Sequence, residues 1–108
     1  MKSPKRDAGV EELLCWAREW PQELKYHTRY SEWTQEIAKK QALYERVLRE
    51  IDKLPFQQRR VIRENYIKGR TMVCISVDIE KSESWCRKRR DEGFEVLKIL
   101  LQDVLEET

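Results

Sequence analysis

Glycine, proline and cysteine are all scarce in this chain, and each scarcity excludes something. Three glycines and three prolines in 108 residues leave little material for hairpins or long loops, so an all-helical fold is expected. Cys15, Cys74 and Cys86 are odd in number and widely spaced, and the lone His27 supplies no zinc-ligand spacing. Neither a disulfide framework nor a metal site is expected; the thiols suit a reducing cytoplasm. No apolar run approaches the roughly 18 residues that read as a membrane span. The opening stretch Met1–Arg6 is charged with no apolar segment behind it, so it is not expected to act as a secretory signal. Paired carboxylates, a nucleophile–base pair and a phosphate-cradling loop are all lacking, so neither an enzyme nor a cofactor is expected.

What the chain does have is charge, 39% of its residues, against a hydrophobic fraction of 40%, a balance that suits a small helical bundle with solvated outer faces. The charge is segregated. Residues 57–90 hold ten Lys/Arg against four acids, a net of +6, whereas residues 91–108 hold one Lys against six acids, a net of −5. A basic middle followed by an acidic tail reads either as an anion-binding surface or as ordinary solvated helix faces.

Hydrophobic periodicity divides the chain into helices. Asp7 is placed to cap a helix over about 8–20, with Val10, Leu13, Leu14, Ala17 and Trp20 on one stripe. Pro21 is expected to interrupt it or to begin a short turn through Leu24, and residues 25–30, with Tyr26, His27 and Tyr30, read as an aromatic connection. Ser31 then caps a helix over about 31–53. Its Trp33, Ile37, Tyr44, Val47, Ile51 and Leu54 recur in four- and three-residue steps, broken only by Lys40. That seam is expected to pack on the first helix, with a homodimer through the 31–53 helix as the alternative. Pro55 fits the first position of a helix over about 55–68, and Gly69 the position just past its end. Ser82 is placed to cap a last helix to about residue 105, in which Gly93 is best explained by the close crossing of a neighbouring helix.

Residues 71–79 carry two patterns. Thr71, Val73, Ile75, Val77 and Ile79 alternate as a half-buried strand would, while Met72, Ile75, Ser76 and Ile79 share one helical face. A strand here has no mate in the chain. Pairing between subunits, as in ribbon-helix-helix repressors, needs two helices afterwards, and only one helical pattern follows. A short helix over 71–79, capped by Thr71, is therefore expected. Together with the preceding and following segments, the run Leu54-Pro55, Arg59, Val61-Ile62, Tyr66, Gly69, Thr71, Ile75-Ser76, Ile79, Ser82, Arg87, Gly93-Phe94 and Leu97 resembles region 4 of bacterial sigma factors, a helix-turn-helix DNA-binding domain. The match is ungapped over residues 54–97. It departs from the family pattern at Glu80, where a turn glycine is usual, at Lys81, usually apolar, and at Cys86, commonly Val or Ile. Glu80 would then need a left-handed backbone.

The size, and the helices ahead of this unit, are similar to stand-alone phage late-gene regulators of the ArpU and RinA kind. The resemblance implies an N-terminal helical arm (1–53) joined to a helix-turn-helix unit (54–108) that binds double-stranded DNA in the bacterial host cytoplasm, with host RNA polymerase as a further partner. In such a unit the helix starting at Ser82 enters the major groove. Its outward positions, Glu83, Ser84, Arg87, Lys88 and Asp91, would read bases, with Arg87 the best placed to fork onto a guanine. Arg59, Arg60, Arg63, Lys68, Arg70, Thr71 and Arg90 are the candidates for phosphate contact, against surface salt bridges to Glu64, Glu92 or Glu95 as the plainer role. Trp85 is expected to pack back on the Ile75/Ile79 helix, with contact to the sugar-phosphate backbone as the alternative. Two rival readings are a small-terminase-like DNA-recognition subunit and a helical module that binds an acidic partner protein.

Overall fold

A computed structural model describes residues 8–30 and 33–107, the side chains of 8 and 30 excepted. The described residues form six α-helices and one π-helical turn, with no strand: α1 (Ala8–Tyr30), α2 (Gln35–Asp52), α3 (Phe56–Ile62), the π turn Arg63–Ile67, α4 (Met72–Ile79), α5 (Glu83–Leu100) and α6 (Gln102–Glu106). The all-α class is therefore as expected. No helix among the described residues is long and apolar enough to cross a membrane.

The first difference from expectation lies at Pro21, which neither ends α1 nor starts a new turn: the helix runs through it to Tyr30. An internal proline removes one backbone hydrogen bond and costs about 3 kcal/mol. Side-chain packing on both sides offsets that cost. Trp20, fully buried, stacks on Trp16 with ring centroids 5.6 Å apart and approaches His27 at 6.2 Å. Its indole Nε1 donates to Gln41 Oε1 at 2.8 Å, and the Lys40 ammonium sits 5.9 Å from its ring. Lys40, the polar break in the α2 seam, is thus a cation over a buried indole. The expected caps Asp7 and Ser31 lie outside the described residues. The start of α2 is set three residues later than Ser31, by Thr34, whose hydroxyl accepts from Ile37 N–H at 3.2 Å.

One core joins both ends of the chain. Val10, Leu14 and Ala17 of α1 meet Val47 and Ile51 of α2, together with Leu54, Ile62, Tyr66, Phe94, Leu97 and Leu101. The core is continuous across the 53/54 boundary, so the first two helices are built into the bundle. Val47, Ile51 and Leu54, the heart of the expected seam, are buried within the chain, while Trp33 is exposed ahead of α2. The π turn contributes Tyr66, whose ring lies 5.5 Å from Phe94 and whose hydroxyl donates to Glu11 Oε2 at 2.7 Å. Lys68 N–H reaches back to Arg63 O at 2.9 Å, the five-residue step of a widened turn, and Gly69 at φ 74° then reverses the chain.

Gly93 is buried where α3 crosses α5. A methyl group there would fall inside the van der Waals envelope of Ile62 Cδ1 and lie 3.4 Å from Gln58 Cβ. The expected continuous last helix instead breaks at Leu101 (φ −110°, ψ 20°), whose side chain is fully buried. The bend brings α6 over α2, where the Arg46 guanidinium forks onto the Asp103 carboxylate and also donates to Leu100 O at 3.1 Å. That clamp holds the Asp103 carboxyl below the usual aspartate range.

Candidate nucleic-acid interface

A second, smaller cluster supports the α4–α5 pair. Val61 of α3, Met72 and Ile75 of α4 and Cys86 of α5 are buried together, with Ile79 and Trp85 packed against them. This cluster decides the ambiguous stretch: Met72, Ile75 and Ser76, the face expected for a helix, are buried, and Val73 and Val77 are left exposed. Packing of one face against two other helices outweighs the β preference of Val and Ile, which local propensity alone would favour. Burial pushes the Cys86 thiol pKa up, so it stays protonated and serves as a small apolar filler.

Side-chain caps set the start of each helix. Thr71 accepts from Cys74 N–H at 3.2 Å and Ser82 from Trp85 N–H at 3.0 Å. Between them, Lys81 N–H bonds to Ser76 O at 3.0 Å and Glu80 N–H to Val77 O at 3.3 Å, the paired reversal bonds of a Schellman end. Glu80 takes the left-handed conformation (φ 58°, ψ 45°) that such an end demands, among the described residues the one non-glycine residue to do so.

On α5, Ser84, Arg87 and Lys88 are exposed, and Glu83 and Asp91 half-buried, so the five expected base-reading residues share the outer side of its first turns. Arg87 Nη2 pairs with Glu83 Oε1 at 3.0 Å, an exposed pair four residues apart. Arg90, expected at a phosphate, lies on another side of α5. It is 8% exposed, on the inner side with Cys86, Gly93 and Phe94, and its Nε bonds to Asp91 Oδ1 at 3.1 Å. Four residues after Cys86 it follows the buried face of α5, apart from the exposed Arg87 and Lys88.

The remaining phosphate candidates divide by partner. Arg59 donates to Asp52 O at 3.1 Å and lies over the Phe56 ring, and Arg63 contacts Asp52 Oδ1 at 2.8 Å. They fasten α3 and the start of the π turn to the C-terminus of α2, where the helix dipole favours a cation. Glu64 takes Lys68 at 2.9 Å and Arg70 at 2.7 Å, and Arg70 also pairs with Asp78. The hydrogen bond from Arg70 and then that from Lys68 hold the Glu64 carboxyl below its usual range, and Arg70 is raised by its bonds to Glu64 and then Asp78. Thr71 is exposed, and its hydroxyl oxygen accepts the cap bond from Cys74 N–H. Arg60 is exposed, and no carboxylate partner is found for it among the described residues.

Three residues outside the expected set stand close to this surface. Phe56 is 62% exposed at the start of α3. Lys81 and Arg89 hold their charges 5.5 Å and 5.2 Å from the centre of the Trp85 ring. Trp85 does pack back toward Ile75 and Ile79, as expected, and its outer part lines a cleft of about 170 Å³ with Phe56, Gln57, Arg60, Ile79 and Lys81. The sequence signal for this cleft was Lys81 itself, a cation where the resembled family carries an apolar residue. No cluster of His, Cys, Asp or Glu able to hold a metal occurs among the described residues. Comparison of the chain with protein-family models, curated proteins and solved structures returned no match.

Proposed function

We propose that this chain is a sequence-specific DNA-binding transcriptional regulator, of phage or prophage late genes, that presents the start of α5 to the major groove. The observation that carries the reading is the capped α4–turn–α5 unit on its own small core, with Ser84, Arg87 and Lys88 exposed on the leading turns of α5. A recognition helix needs that arrangement: a rigid support below, and short polar and cationic side chains above. The Arg87–Glu83 pair does not withhold Arg87. Exposed pairs four residues apart contribute about 0.3–0.5 kcal/mol, and a bidentate guanine contact supplies about 1–3 kcal/mol of discrimination. Lys88 is left for the groove as a long exposed cation.

A second reading also draws on an observation. Arg63, Lys68, Arg70 and Arg89 all have carboxylate partners within the chain, so less of the basic middle is open to DNA than its net charge implies. A module that binds an acidic protein needs fewer open cations. Selection from random duplexes at low salt, followed by titration of the enriched sequence, separates the two. The DNA reading expects one enriched motif, affinity falling steeply with salt, and Arg87→Ala weakening the enriched site by about 10–100-fold while leaving random duplex nearly unchanged. No enrichment, or equal loss on both duplexes, refutes it.

A further inference from the structure

We propose that the cleft between the start of α3 and the α4–α5 turn is a docking site for a short acidic segment of a partner protein, anchored by one apolar side chain. Its floor is apolar: Phe56, Ile79 and Trp85 come together from three different helices. The free volume, about 170 Å³, is close to the roughly 150 Å³ cavity that accepts a benzene ring, so one aliphatic or aromatic side chain fits. Its polar lining is Gln57, Arg60 and Lys81, with two cations and no acid. Among the described residues no carboxylate neutralises either cation; Lys81 is held over the Trp85 ring instead. The nearest acid in sequence, Glu80, is exposed and does not line the cleft.

Charge complementarity therefore calls for an anion, and the floor calls for hydrocarbon. A peptide with carboxylates flanking one leucine or phenylalanine supplies both, burying the anchor while its acids meet Arg60 and Lys81. A sugar-phosphate backbone supplies the charge but no apolar side chain to fill the floor formed by Phe56, Ile79 and Trp85. Trp85, which lines the cleft, lies on the flank of α5 that also carries Arg89 and Glu92 toward α3, where Gln58 Nε2 contacts Glu92 Oε1 at 3.4 Å. Ser84, Arg87, Lys88 and Asp91 follow a different line around the same helix, since successive residues step about 100°. The chain's own acidic stretch does not fill the role, because α6 is fastened to α2 through Asp103 and Arg46. Docking here does not depend on the DNA reading.

The test is fluorescence anisotropy with the full chain and two labelled peptides: aspartates around a central leucine–phenylalanine pair, and aspartates alone. The first should bind and the second at least about tenfold more weakly, because the anchor's burial is worth more than about 1.4 kcal/mol. Phe56→Ser and Arg60→Glu/Lys81→Glu should each weaken the first peptide by about tenfold or more, with helical circular dichroism unchanged, since all three side chains are exposed. Arg60→Glu alone gives a smaller loss and serves if the double variant unfolds. Equal binding of both peptides, or binding insensitive to these variants, overturns the proposal. So does loss of duplex binding in Phe56→Ser with no peptide bound, which would make the cleft a DNA contact. Concentration-dependent self-association abolished by Phe56→Ser would assign the cleft to a second copy and overturn it as well.

Discussion

Substituting Gly93 by alanine sets two effects of similar size against each other, and the geometry says which prevails. Mid-helix glycine costs about 1 kcal/mol relative to alanine, so on propensity alone the change would stabilise α5. The new methyl, however, would overlap Ile62 Cδ1 in the fully buried contact between α3 and α5, with Gln58 Cβ at 3.4 Å and Leu54 Cδ1 at 3.5 Å behind it. Overpacking a closed core of this kind costs about 1–3 kcal/mol. The net expectation is a loss of about 1 kcal/mol, read as a fall in urea midpoint of about 0.3–1 M by far-UV circular dichroism. The decisive variant removes the obstacle. Ile62→Val deletes Cδ1 and by itself costs about 0.5–1.5 kcal/mol. In that background Gly93→Ala should change sign and stabilise by up to about 1 kcal/mol, leaving ordinary contacts to Gln58 and Leu54. The coupling between the two sites is then about 1–2 kcal/mol. If Gly93→Ala destabilises equally in both backgrounds, close approach to Ile62 is not the reason for the glycine.

Three further outcomes are expected. Glu80→Gly should raise stability by about 0.5–1 kcal/mol, the left-handed penalty of about 1–2 kcal/mol less the entropy a glycine adds to the unfolded chain; an unchanged or lower urea midpoint would contradict it. Pro21→Ala should stabilise by about 1–3 kcal/mol by restoring the N–H that α1 lacks at that turn, measured by the same denaturation. Glu50, Glu64 and Asp103 all have carboxyls held below their usual values, so their pairs contribute fully above the unfolded values of about 4 and are lost as pH falls through the folded ones. Stability should therefore decline from about pH 5 toward pH 3, with a shallower decline in Glu64→Gln; identical slopes would remove the Lys68–Glu64–Arg70 network from the account.

The sequence by itself determined what depends on short-range chemistry. Thr71, Ser82 and Gly69 mark helix ends through their own hydroxyls or lack of a Cβ, and all three are found in those places. Glu80 was legible as a left-handed residue only through the resemblance, since it stands where a turn glycine is usual, and Gly93 was explicable by a crossing helix before that helix could be named. The buried face of α4 was legible because residues three and four apart must share a side whatever covers them. Only the tertiary structure decided what depends on distant partners. Pro21 stays inside α1 because Trp20 is held by Gln41 and Lys40 of another helix, which no local preference reveals. Arg90 is buried and Arg60 exposed although both read as cations in a basic run, because burial depends on which side of each helix its neighbours cover. The arginines whose charges are matched inside the chain, and the cleft gathered from Phe56, Ile79 and Trp85, likewise exist only once α3, α4 and α5 are packed together.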